Sequence, residues 1–398
     1  MIGLGQVRWI SALRNDAPLL LDVTRLIWRR WAGRLPTGID RACIAWLEHY
    51  GPRSLAVVQK GEFRLILSPR ASDELFSLLL KGGKHFRRKV VFLLWRAMLQ
   101  YRPVQLRGRI YLNPGHTGLD AHGLPDWLKR SGVRPVYLVH DLIPITHPEF
   151  CRGAEQARHQ MRVRHMLETA HGLVANSAAT IEDLAAFAKS RGLAMPERTL
   201  VSWLGADEQA EPDGGPVPQQ PYFLIVGTIE ARKNHLLILH LWERMVDSMG
   251  AAAPRLVIVG QRGWEADDVF ALLDRSPKLK AHVFELGRCS DARMLALLDG
   301  AQALLMPSFV EGYGIPVIEA LQRGVPVIAS DLPVFREIAG DIPCYLDPVD
   351  GSGWERTIRE FAAGSPERER QRRATINFER PTWEAHFRWI DRWLEALD

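Results

Sequence analysis

Two glutamates eight residues apart, Glu311 and Glu319, stand in Met306-Pro-Ser-Phe-Val-Glu311-Gly-Tyr-Gly-Ile-Pro-Val-Ile-Glu319, the stretch of this chain richest in chemistry. A buried strand is expected to end near Met306. A loop holding Gly312, Tyr313 and Gly314 follows, and a helix begins at Ile315 with Pro316 in its first turn, where a missing N–H is tolerated. Such a loop offers free backbone amides and the positive end of a helix dipole to an anion, most naturally a phosphate. A carboxylate beside a phosphate is repelled, so the two glutamates suit the hydroxyls of a sugar better.

A second cluster reads Val226-Gly227-Thr228-Ile-Glu-Ala-Arg232-Lys233-Asn234. Two adjacent cations directly after a buried strand can neutralise a diphosphate and stabilise it as a leaving group, Arg as a planar fork and Lys as a point charge. An Arg-Lys pair in a loop is often only solvated; here the glutamate loop in the same half of the chain favours the functional reading. In the first half, Tyr137-Leu-Val-His140-Asp141-Leu-Ile-Pro144 puts His140 and Asp141 at a strand end before a proline-marked turn, as a cleft-facing pair or a structural one. Thr37-Gly38-Ile-Asp40-Arg41 is a further loop with one glycine, by itself a weak phosphate or sugar contact.

The elements that must position these groups alternate. In the second half, strand-like runs at Tyr222–Val226, Leu256–Val259, His282–Leu286, Ala303–Met306 and Val325–Ala329 are separated by helical spacings at Leu236–Met245, Ala266–Leu273, Asp291–Leu298 and Ile315–Gln322. That pattern implies βαβ units and a parallel sheet. The first half is less regular, with strands expected at Leu19–Val23, Ser54–Val58, Arg109–Leu112, Val136–Val139, Gly172–Ala175 and Leu200–Trp203, and helices over Asp40–His49, Glu155–Ala170 and Ala179–Ser190. Glu208–Pro221, polar and rich in Pro and Gly, reads as a linker. The expected architecture is α/β: a Rossmann-like domain over 1–208, a second over 222–380, both doubly wound, and an amphipathic C-terminal segment over 381–398. Ligands of such sheets bind at the carboxyl ends of the strands, hence in a central cleft between the domains.

Composition agrees. With 398 residues, 47% hydrophobic and 24% charged, the chain is ordinary globular protein, neither collagen, coiled coil nor low-complexity disorder. Four widely spaced cysteines and no zinc spacing predict a reduced, cytoplasmic protein without a metal site. Met1 to Trp9 has no basic region followed by a long apolar core, so no secretory leader is expected. Charge is split unevenly: 30 Lys and Arg against 18 Asp and Glu up to residue 208, then 21 against 28. An anionic partner is expected on the first half.

Taken in order, these motifs resemble the retaining glycosyltransferases of family 4, which have the GT-B fold, and within them the bacterial mannosyltransferase-like branch. The resemblance rests on the E-x7-E element Glu311 to Glu319, the phosphate loop Gly227-Thr-Ile-Glu-Ala-Arg-Lys-Asn234, the His140-Asp-Leu-Ile-Pro144 signature and Thr37-Gly38-Ile39. Shorter matches are Ala175-Asn-Ser177, Trp203-Leu-Gly-Ala-Asp207 and Leu286-Gly287-Arg288, and together they span roughly residues 35–340.

The resemblance implies a nucleotide-diphosphate sugar donor, GDP-mannose first, held mainly by the second domain. Arg232 and Lys233 would hold the diphosphate, with Gly227 and Thr228 beside it. Glu319 would bind the ribose hydroxyls and Glu311 those of the transferred sugar. The amides of Gly312, Tyr313, Gly314 and Ile315 would contact sugar and phosphate, Gly287 and Arg288 would lie along the base, and Gly38 and His140 would approach from the first domain. His140, Arg232, Lys233 and Glu311 are the expected catalytic set. Neither a metal nor a cofactor is expected, since no D-x-D motif is present. The chain departs from many relatives in carrying Thr228 where an arginine is common, and Ala231 where proline is.

The implied acceptor is a lipid-linked oligosaccharide or other cell-surface glycan. Lys81 to Arg102 mixes a basic cluster with apolar and aromatic residues, read either as a surface on the anionic cytoplasmic leaflet of the inner membrane or as a core helix with a basic start. Rival readings are a UDP-sugar donor and a non-catalytic partner subunit. A nucleic-acid binder lacks any recognised motif, and a dinucleotide dehydrogenase lacks a G-x-G-x-x-G after any expected strand.

Overall fold

The computed structural model describes residues 19–33, 37–101, 103–206, 211–212, 214–287 and 289–397. Two sheets organise it, parallel but for one edge strand. The first runs β1 (Leu19–Asp22), β2 (Ser54–Lys60), β3 (Phe63–Ile66), β4 (Ile110–Asn113), β5 (Arg134–Val139), β6 (Gly172–Ala175) and β7 (Thr199–Val201), in the order β3-β2-β1-β4-β5-β6-β7. The second runs β8 (Tyr222–Val226), β9 (Arg255–Val259), β10 (Val283–Leu286), β11 (Leu304–Met306), β12 (Val327–Ser330) and β13 (Cys344–Leu346), in the order β10-β9-β8-β11-β12-β13. Each is doubly wound, so strand order reverses between β1 and β4 in one domain and between β8 and β11 in the other. The strands are short continuous apolar runs because helices cover both faces; Leu20, Leu112, Phe223 and Leu305 are fully inaccessible to solvent.

Most strand boundaries differ from the sequence expectation by a residue or two. β13, parallel to β12, was not among the expected strands, and two features of the first domain were not expected either. β3 pairs antiparallel with β2 across the two-residue turn Gly61-Glu62, with Gly61 at φ 57°; the first sheet is therefore mixed at its edge. The Thr24–Trp31 helix follows β1 directly, its first turn held by the Thr24 N–H donating to the Asp22 carboxylate at 3.0 Å.

The Trp383–Glu395 helix lies on the first domain. Phe387, Ile390 and Leu394 are its buried stripe, and Phe387 stacks on His49 with ring centroids 4.1 Å apart. Trp46 Nε1 donates to His386 Nε2 at 3.1 Å, and Ser202 Oγ lies 2.9 Å from His386 Nδ1. Gly172 is required beneath it: a Cβ there would stand 2.4 Å from Trp393. Among the described residues no helix is long and apolar enough to cross a membrane, and Cys43, Cys151, Cys289 and Cys344 are free thiols.

Candidate active site

A cleft of about 1930 Å³ opens where the two points of strand reversal face each other. From the second domain come the loops after β8 and β11; from the first, those after β1, β4 and β5. This is where doubly wound sheets bind ligands, because neighbouring loops there diverge and leave a crevice.

The loop after β8 makes one short 3-10 turn, Ala231–Lys233, which turns both cations inward. Gly227, at φ 133°, lets the chain leave the strand in a conformation closed to other residues, and its Cα packs on the Lys233 stem, where a Cβ would stand 3.0 Å from Cε. Gly260, at the end of β9, comes against the same turn: a Cβ would lie 1.8 Å from the Gly227 carbonyl. The glutamate loop is tied to this one by the Phe309 N–H, which donates to the Arg232 carbonyl at 2.8 Å. Gly314, at φ 113°, turns the chain into the Ile315–Gln322 helix.

The charges so assembled pair with one another. Arg232 Nη1 and Lys233 Nζ each donate to Glu311 at 2.6 Å, and Ser308 Oγ donates to the same carboxylate at 2.8 Å. Arg232 Nη2 meets Glu230 at 2.6 Å. Burial resists the charge on Glu311, but Arg232 and then Lys233 outweigh it and hold the pKa down at about 2. For Glu230 burial prevails and the pKa is raised in spite of Arg232. Glu311 is thus the counter-ion of both cations, as buried charges need a partner.

Across the cleft His140 is buried, its Nε2 donating to the Pro114 carbonyl at 2.7 Å. Burial lowers its pKa to about 4, so at neutral pH the imidazole is uncharged. Its carbonyl accepts from Asn176 Nδ2 at 2.8 Å and lies against Gly312, where a Cβ would stand 2.9 Å away. The two domains touch here, backbone on backbone. Gly38 approaches the Ile315 side chain from the first domain, at the start of the Gly38–Tyr50 helix whose capping box joins Thr37 and Asp40.

Glu319 lies in the cleft wall and accepts from Arg41 Nη1 at 2.8 Å. Arg41 belongs to the Gly38–Tyr50 helix, so this is a salt bridge between domains, and the same guanidinium is 3.7 Å from Asp291. Arg41 and Glu230 were not among the expected site residues: Arg41 meets its partner in the other domain, and Glu230 is buried beside Arg232. The Tyr313 side chain is buried and its hydroxyl donates to the Leu204 carbonyl at 2.9 Å, leaving its backbone, the part expected to meet the donor, for a ligand. Thr228 and Gly287 line the cleft. Arg288 falls outside the described residues.

A family profile described as Glycosyl transferases group 1 matches residues 207–378. The chain is 31% identical over 287 residues to the serotype-specific mannosyltransferase WbdA of Escherichia coli, an alignment covering 66% of this chain and 34% of that one. It is 29% identical to the E. coli O-antigen chain mannosyltransferase B over 243 residues, 58% of this chain and 61% of the relative. The chain thus spans about a third of WbdA and under two thirds of the second relative. Among solved structures, Anabaena Alr3699/HepE in complex with UDP-glucose superposes with a TM-score of 0.65 at 15% identity, covering 95% of this chain and 99% of that one. Both domains together therefore form the GT-B fold, and residues 207–378 are similar to the group 1 glycosyl transferases. The relatives it resembles here are mannosyltransferases.

Proposed function

We propose that this protein is a retaining, metal-independent glycosyltransferase that moves mannose from GDP-mannose to a lipid-linked or other cell-surface glycan. The observation carrying this reading is the Arg232, Lys233 and Glu311 cluster at the strand ends of one domain, closed over by His140 of the other. A diphosphate entering the cleft competes with Glu311 for both cations. Arg232 and Lys233 then hold the phosphates, and the freed Glu311 turns to the hydroxyls of the sugar. Glu319 exchanges Arg41 for the ribose hydroxyls. The acceptor oxygen attacks the anomeric carbon on the face the diphosphate leaves; the C–O bond to phosphate breaks, the new glycosidic bond forms, and a leaving phosphate oxygen takes the acceptor proton. The protein contributes positioning and charge stabilisation. His140, uncharged, positions the sugar rather than supplying a proton.

The reading includes peripheral contact with an anionic leaflet through residues 81–102. Sedimentation with phosphatidylglycerol vesicles and not with neutral ones is the expected result; equal binding to both removes this contact.

Calorimetry with GDP, UDP and ADP, with and without magnesium, tests the core reading. Tight GDP binding indifferent to EDTA is expected, and Lys233→Ala should weaken it at least tenfold while the thermal transition persists. UDP preference overturns the donor assignment, and no nucleotide binding overturns the enzyme.

A further inference from the structure

The most anomalous surface of the molecule lies outside the cleft. On the Phe86–Leu99 helix only Val90 and Leu93 are buried, whereas Val91, Phe92, Trp95, Met98 and Leu99 are between 47% and 67% exposed. Singly exposed apolar residues are normal, but a contiguous apolar face is a binding surface. The face is not flat. Against Trp31 of the preceding Thr24–Trp31 helix it forms a groove of about 380 Å³, with Trp31, Val91, Phe92 and Trp95 as walls and Arg87 and Arg88 beside them. Arg87 Nε donates to the Trp31 carbonyl at 2.9 Å, fixing one guanidinium over the Trp31 ring. Neither Arg87 nor Arg88 has a carboxylate partner among the described residues. The sequence has no Asp or Glu anywhere between Glu74 and Asp120, while Lys81, Lys84, Arg87, Arg88 and Lys89 fall together.

Two tryptophans in contact link this groove to the cleft wall. Trp31 packs edge-on against Trp28, ring centroids 6.3 Å apart. Trp28, 42% exposed, lines the cleft itself, with the Lys60 ammonium 5.8 Å from its ring centroid. One helix thus places a tryptophan in each cavity, with cations beside both.

We propose that the groove holds the hydrocarbon chain of a phosphate-linked lipid acceptor, whose phosphate meets Arg87 and Arg88 and whose sugar crosses Trp31 and Trp28 into the cleft. This rests on the glycosyltransferase reading and names the acceptor subsite for it. A surface that merely rests on a bilayer needs charge and apolar area; it needs neither a concavity nor an aromatic path to the cleft.

The test is equilibrium dialysis of the full chain against farnesyl phosphate below its aggregation threshold. Binding is expected, with farnesol at least tenfold weaker. Phe92→Ser and Trp95→Ser, both at solvent-facing positions, should weaken farnesyl phosphate at least tenfold while GDP affinity stays within twofold. Absence of binding by the unaltered chain, or unchanged binding by both variants, overturns the groove. So does loss of phosphatidylglycerol vesicle binding in the variants with farnesyl phosphate retained, which makes the face a bilayer contact only. Failure of the unaltered chain to bind GDP refutes the glycosyltransferase reading on its own and is scored separately from farnesyl phosphate.

Discussion

Glu311 is bonded to the two cations that the proposed diphosphate requires, and this makes its removal a discriminating experiment. Arg232, Lys233, Glu230 and Glu311 carry two positive and two negative formal charges, so a diphosphate gains the cations only by displacing a carboxylate. Glu311→Gln keeps the shape and removes the competitor. It should bind GDP several-fold more tightly than the unaltered chain, yet turn over at least a hundredfold more slowly, since removing a well-placed polar group in a cleft costs on the order of 3 kcal/mol at the transition state. Calorimetry and initial rates read the two separately; weaker GDP binding by the variant would refute the displacement. At this scale the sequence was legible where residue type and spacing name the chemistry, as for Arg232, Lys233, Glu311 and Glu319. Arg41 was not, because its importance lies in a bond to a residue 278 positions away.

At the scale of elements, the loops are set by glycines whose need is steric. Gly312 faces the His140 carbonyl, and a Cβ there would stand 2.9 Å from that oxygen and from the Asp141 Cβ. Backbone on one side and a short side chain on the other leave little room to give. Gly312→Ala should therefore separate the glutamate loop from the His140 loop, slowing turnover at least tenfold and costing about 1–3 kcal/mol of stability, as overpacking does. A variant with unchanged rate and melting temperature would show that the loops do not close on each other. The second domain's alternation of strand and helix reads easily because its sheet is wholly parallel and its inner strands are buried. The β2–β3 hairpin did not, although Gly61 marks its turn: β3 is only four residues long, with Phe63 exposed, so its alternation is too brief to stand out. The Phe86–Leu99 helix was legible as an ambiguity, apolar on two faces, and only packing shows which face is left outside.

Over the whole molecule, buried uncharged histidines stand in the first domain, in the second and beneath the C-terminal helix, and they set how the fold answers acid. Burial first, then nearby charge, holds His140 and His386 at about 4 and His235 at about 3. These values are depressed below the ordinary 6.5, so the stability they represent is complete above pH 6.5 and is lost as pH falls toward the folded values. For His386 the loss by pH 5 is about 2 kcal/mol by linkage. This residue also joins the C-terminal helix to the first domain, accepting from Trp46 at Nε2 and donating from Nδ1 toward the Trp203 carbonyl at 3.0 Å; protonation turns the acceptor into a donor facing a donor. His386→Gln keeps an acceptor within reach of Trp46 and removes the titration. Its melting temperature at pH 8 should lie below that of the unaltered chain, from imperfect packing, while the fall between pH 7 and pH 5 becomes shallower. An unaltered slope would place the acid sensitivity in the other histidines and leave the helix uninvolved.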